Sequence, residues 1–91
     1  RAVSNEPFSF VSVINPFSNE LLFEVSAEQA GKAEAELIDV SGKAVRRKMF
    51  DISSGITRLS LENTSQLASG IYFLRVQSGG RVIQKRVLKT R

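Results

Sequence analysis

Turn-forming residues break this sequence roughly every 10–12 positions, and that spacing limits the possible folds more than any other feature. None of the runs between breaks makes a convincing helix, and most are rich in strand formers. Residues 8–14 (Phe-Ser-Phe-Val-Ser-Val-Ile) are stopped by Asn15-Pro16, because proline has no N–H to give to a ladder. Residues 21–25 put Leu21, Phe23 and Val25 on one face and Leu22 and Glu24 on the other. Residues 27–32 are a polar connection. In residues 33–40, Ala33, Ala35 and Leu37 alternate with Glu34, Glu36 and Ile38. Asp39-Val40-Ser41-Gly42-Lys43 reads as a tight turn, where the aspartate can bond its own backbone and Gly42 supplies a positive φ. Residues 44–50 return as a strand carrying Arg46, Arg47 and Lys48, and residues 56–61 form another with Leu59 and Leu61 inward. Residues 63–70 are a loop with one apolar anchor, Leu67. Gly70 opens the strongest strand, 71–77, and Ser78-Gly79-Gly80 is a hairpin turn into the closing strand, 81–89. Seven strands at this spacing predict an all-β fold, an antiparallel sandwich, with a small barrel as the alternative. Residues 1–7, polar and ending in Pro7, read as a linker or preceding segment, and 8–91 as one domain.

Composition narrows the chemistry. The 91 residues include no cysteine and no histidine. Disulfides, thiolate nucleophiles, the usual zinc ligands and every Ser–His–Asp or Cys–His arrangement are thereby excluded. Nine carboxylates remain. Most fall at alternating strand positions or in polar loops, where a solvated face accounts for them better than acid–base work. Asp39 sits in a turn at a strand end, where turn formation explains it better than catalysis. No loop stacks acids at calcium-site spacing. Gly79-Gly80 is too short to cradle a phosphate and no helix follows it. The aromatics Phe8, Phe10, Phe17, Phe23, Phe50, Tyr72 and Phe73 sit where a thin core needs them, which argues against a nucleic-acid platform. No stretch is apolar for long enough to span a membrane, and no signal peptide is expected. Neither enzyme activity nor a cofactor is expected. The chain opens on Arg1 rather than methionine, so a longer protein is expected around it.

The net charge of +4 conceals an asymmetry. Residues 1–45 carry three basic against seven acidic side chains, a net of −4, and residues 46–91 carry ten against two, a net of +8. Two oppositely charged halves attracting one another within one fold is one reading, and a basic face offered to an acidic partner is the other. The closing strand sharpens the question. Arg81, Ile83, Lys85, Val87, Lys89 and Arg91 share one face, and Val82, Gln84, Arg86 and Leu88 the other. Lys85 and Lys89 are about 13 Å apart at strand spacing. They serve either to protect an exposed edge or to offer a basic strip to a receptor.

Taken in order, these motifs resemble a known family. They are Asn15-Pro16-Phe17, then Leu37 to Val45 around Asp39-Val40-Ser41-Gly42-Lys43, then Leu67-Ala68-Ser69-Gly70-Ile71-Tyr72, then Gly79-Gly80, then Lys85-Arg86-Val87-Leu88-Lys89. The ordered set, from about Val11 to Arg91, resembles the C-terminal sorting domain of the Bacteroidetes type IX (Por) secretion system. The resemblance implies an Ig-like sandwich at the end of a larger cargo. Such cargo enters the periplasm and is then directed through an outer-membrane translocon. A sortase-like protease usually removes the domain at the cell surface and joins the cargo to anionic lipopolysaccharide. Asn15 and Pro16 match the early Asn-Pro, Asp39 and Gly42 the Asp-x-x-Gly turn, and Leu67, Gly70 and Tyr72 the Leu-x-x-Gly-x-Tyr motif. Lys85 and Lys89 match the terminal lysine pair. The usual Tyr-Pro before Asn-Pro is Val13-Ile14 here, and Thr90-Arg91 follow Lys89, which leaves cleavage or retention of the domain open.

The implied partners are type IX translocon and sortase components at the outer membrane, not nucleic acid, with dimerisation or strand swapping through exposed edges also open. Recognition is expected at Lys85, Arg86, Val87, Leu88, Lys89 and Arg91, by strand addition or by charge steering. Asn15, Pro16, Asp39, Gly42, Leu67, Gly70, Tyr72, Gly79 and Gly80 are expected to be structural first. Tyr72 in particular is placed to bury its ring and make a corner hydrogen bond. Two rival roles are a retained Ig-like adhesion or carbohydrate-binding module and an accessory domain of an enzyme.

Overall fold

Seven strands and no helix form among the described residues, 8–91 of a computed structural model. Residues 1–7, expected as a linker, lie outside the described residues. The strands are β1 (Phe8–Val13), β2 (Leu21–Ala27), β3 (Gly31–Asp39), β4 (Ala44–Ile52), β5 (Gly55–Leu61), β6 (Gly70–Ser78) and β7 (Arg81–Lys89). They pair antiparallel into a three-stranded sheet, β1-β2-β5, and a four-stranded sheet, β4-β3-β6-β7. The sheets stay separate and pack face to face, so the chain is the expected antiparallel sandwich and not the barrel.

Alternation along the strands builds the core. Leu21, Phe23 and Val25 of β2, with Leu59 and Leu61 of β5, face Ala33, Ala35 and Leu37 of β3 and Tyr72, Leu74 and Val76 of β6. Phe23 takes two rings edge-on, Phe10 at 6.3 Å and Phe50 at 6.4 Å. Every strand lies within about three residues of its expected bounds. β2 and β3 are longer than expected and reduce their connection to residues 28–30. A turn at Ser53-Ser54, with Gly55 at φ 95°, joins β4 to β5. Ile14 falls outside β1, although its N–H still reaches the Leu22 carbonyl at 2.9 Å.

The charge asymmetry is partly resolved by cross-strand pairing. Arg47 of β4 meets Glu36 of β3 at 2.7 Å and Glu34 at 3.5 Å, and Arg58 of β5 meets Glu24 of β2 at 3.3 Å. Lys32 and Asp51 pair at 2.6 Å in the opposite sense. Acids of the first half thus meet bases of the second. Arg75, Arg81, Lys85, Arg86, Lys89 and Arg91 make no ion pair among the described residues.

Candidate functional site at one end of the sandwich

Strand register carries four of the motifs to the same end of the molecule. Asp39 at the end of β3 lies opposite Tyr72 of β6, Tyr72 lies opposite Val87 of β7, and Gly70 lies opposite Lys89. Phe17, outside the strands, forms a parallel bridge to Lys89. Residues far apart in the chain are therefore neighbours here.

Each motif has a local reason for its shape. Asp39 Oδ1 accepts from the Ser41 hydroxyl at 2.6 Å, the Ser41 N–H at 2.9 Å and the Lys43 N–H at 3.0 Å. Gly42, at φ 93°, closes this turn by donating its N–H to the Asp39 carbonyl at 2.9 Å. The Ser41 hydroxyl, the Lys43 and Ser41 backbone donors and the Lys43 charge together hold the Asp39 carboxyl below the usual range. Tyr72 is buried, and its hydroxyl donates to the Ala68 carbonyl four residues upstream at 2.6 Å. This is the corner expected from the sequence, at the start of the strand equivalent to F of an immunoglobulin sandwich. Its ring meets Phe17 edge-on at 6.3 Å. Leu67 is half-buried against the core, and Gly70 opens β6 at φ 144°.

Asn15 fastens the closing strand. The Leu88 N–H donates to Asn15 Oδ1 at 2.8 Å, and the Phe17 N–H donates to the Leu88 carbonyl at 2.9 Å. The Thr90 N–H donates to the Phe17 carbonyl at 2.8 Å. The cis Asn15–Pro16 bond lies within this segment. The open edge of β7 is thus occupied from Leu88 onward.

The terminal basic strip is divided by the fold. Alternation places Lys85, Val87 and Lys89 on one face, but that face is the inner one. Val87 is buried, and Lys89 is 2% exposed with its ammonium donating to the Thr90 carbonyl at 2.7 Å. Lys89 is therefore not part of an exposed strip: Phe17 lies against it, and its stem joins the core edge. Lys85 shares that face yet is exposed, because β7 is the sheet edge and a long side chain can reach round it. Arg86, Leu88 and Arg91 are exposed.

Two supports were not legible from spacing. Thr64 is fully buried and donates its hydroxyl to the Ser18 carbonyl at 2.7 Å, pinning the β5–β6 loop to the segment after Pro16. Thr90 joins through its N–H and its hydroxyl, both donating to the Phe17 carbonyl. Neither residue carries a signal of its own, since a polar residue in a loop reads as solvated. The outward-facing Phe73 is half-buried on the outer face rather than core, as its shared face with Arg75 could have indicated.

Gly79 and Gly80 lie at the opposite end, both at positive φ, beside an open groove of about 400 Å³ lined by Phe8, Glu28, Lys32, Ser78 and Arg81 among others. Among the described residues no cluster of acids could hold a metal ion, and no helix is long and apolar enough to cross a membrane.

Fold and site define an Ig-like sandwich with four of its five motifs gathered at one end around its last strand. The sequence profile of the family described as the secretion system C-terminal sorting domain matches residues 15–90, and the chain belongs to that family. It is a type IX secretion sorting signal, in a family of sorting signals and not of enzymes. That role implies contact with the secretion machinery and transit to the outer membrane or beyond. The matched span begins at Asn15 and ends at Thr90, the two ends of the clip. A search of curated proteins gave no match.

Proposed function

We propose that this domain is recognised at its motif end by an outer-membrane translocon component while its cargo waits in the periplasm. The cargo then reaches the cell surface or the medium. A sortase-like protease cuts near residues 1–7 and joins the cargo to a surface lipopolysaccharide. The supporting observation is the clip from Asn15 and Phe17 to Leu88 and Thr90, which holds the closing strand of the last hairpin in one fixed geometry. A fixed, preorganised end loses little entropy on docking. Recognition then reads the exposed members of the terminal strand, Lys85, Arg86, Leu88 and Arg91. Val87 and Lys89, both buried, shape the strand that carries them.

The test is export of a reporter. Residues 1–91 are fused to the C-terminus of a periplasmic fluorescent protein in a type IX-competent host, beside a fusion lacking residues 84–91. Fluorescence at the surface or in the medium from the intact fusion alone is expected. A folded, intact fusion that stays in the periplasm overturns the proposal.

A further inference from the structure

The outer face of the four-stranded sheet changes character along its length. Its middle is a polar row, Arg47–Glu36–Arg75–Gln84, with Arg47 and Glu36 paired at 2.7 Å. Toward the motif end the register sets Ile38 beside Phe73 and Phe73 beside Arg86, and then Ile71 beside Leu88. Ile71 is 41% and Leu88 44% exposed, and Ile38 and Phe73 are half-buried. Four adjoining apolar side chains thus sit on a face turned away from the core. Scattered exposed apolar residues need no explanation, but a contiguous group rimmed by charge marks an interaction site.

The rim states the partner's chemistry. Glu24, Glu34, Glu36 and Asp51 are each paired with a base of this chain. Arg75 and Arg86, which border the apolar group, have no acidic partner among the described residues. The cationic excess of the second half of the chain therefore lies partly against this patch. A complementary surface has an apolar centre and carboxylates at its edge. A second copy of this chain, docked through the same patch about a two-fold axis, would set arginines against arginines.

We infer that the outer face formed by Ile38, Ile71, Phe73 and Leu88, with Arg75 and Arg86 at its rim, docks a protein surface that is apolar at its centre and acidic at its edge. This rests on the sorting role proposed above and extends its contact from the terminal strand onto the broad face of the sheet, which Arg86 and Leu88 share. Lys85 and Lys89 point to the other side.

The reporter fusion tests it with three variants. Ile71→Ser/Leu88→Ser removes the two most exposed apolar side chains, Arg75→Glu/Arg86→Glu reverses the rim, and Met49→Ser/Val82→Ser alters the far end of the same face. Thermal unfolding of each fusion checks that the domain remains folded. The first two are expected to lower export roughly tenfold or more, as hot-spot removal does, and the third to export as the intact fusion does. Where the apolar variant fails to fold, the arginine variant decides, since its side chains lie on the outer face and not in the core. Normal export from a folded arginine variant, or from a folded apolar variant, overturns the inference while leaving the sorting role intact. Failure of the intact fusion overturns the sorting role itself. Binding of the purified chain to protein-free phosphatidylglycerol vesicles, lost in both face variants, overturns a protein partner in favour of lipid. Dimerisation lost in the same variants overturns it in favour of a second copy.

Discussion

Tyr72, Asp39 and Lys89 show how a single side chain holds the motif end. The Tyr72 hydroxyl is the partner of the Ala68 carbonyl, so Tyr72→Phe leaves that carbonyl without its donor. The expected loss is about 1–2 kcal/mol, read from the urea midpoint at unchanged slope. Asp39 titrates below the usual carboxylate range, so its ionised form stabilises the fold. That contribution is complete above the unfolded-state value of about 4 and is lost as pH falls through the lowered folded-state value. Asp39→Asn should unfold more easily at neutral pH and show a flatter loss of stability in acid, measured by melting temperature against pH. Lys85 and Lys89 look equivalent in sequence, and the fold makes them different. Lys85→Ala should alter stability by no more than about 0.5 kcal/mol, whereas Lys89→Ala removes a buried stem and should cost about 1–3 kcal/mol. Equal costs would mean that the buried position of Lys89 has no energetic weight. Export assays on the two lysines therefore need separate variants, each with a stability measurement beside it.

Among elements, β7 is the one whose environment depends most on a distant segment. Its outward N–H at Leu88 is capped by Asn15, and its continuation at Thr90 is held by Phe17. Asn15→Ala should cost about 0.5–1.5 kcal/mol and speed amide exchange at Leu88 and Thr90 while leaving β2 and β3 protected. Unchanged exchange at Leu88 would show that water or another group caps the strand equally well. The existence of β7 was legible from Gly79-Gly80 and the alternation after it. Its partner was not, because Asn15-Pro16 reads locally only as the end of β1. A side-chain amide bonded to a backbone 73 positions away leaves no periodic trace in sequence. The two faces of β7 were likewise legible, but which face turns inward depends on the sheet that covers it. Burial of Lys89 could not be read for that reason. The corner at Tyr72 was legible because its bond is local, spanning four residues.

For the molecule as a whole, the sandwich was legible because turn chemistry and period-two alternation agree along nearly the entire chain. The charge asymmetry was visible but its use was not, since the pairing of β3 with β4 and of β2 with β5 decides which charges cancel. All four pairs include a side chain that is largely exposed, so they contribute little to stability. Raising salt to about 0.5 M should therefore change the unfolding free energy by less than about 1 kcal/mol. A larger loss would assign the ion pairs a weight that their exposure argues against.

The clip also has a consequence in time. A polypeptide made and moved N-terminus first can pair β1 with β2, β2 with β5, and β3 with β4 and β6, while Leu88 is still inside the ribosome or a membrane channel. Asn15 must then wait for its partner until nearly the whole domain has emerged. The long loop to be closed makes this contact a late one. A cargo whose synthesis or passage stopped before Leu88 would have a core but no finished motif end, so machinery that reads that end would engage only domains whose last strand had arrived.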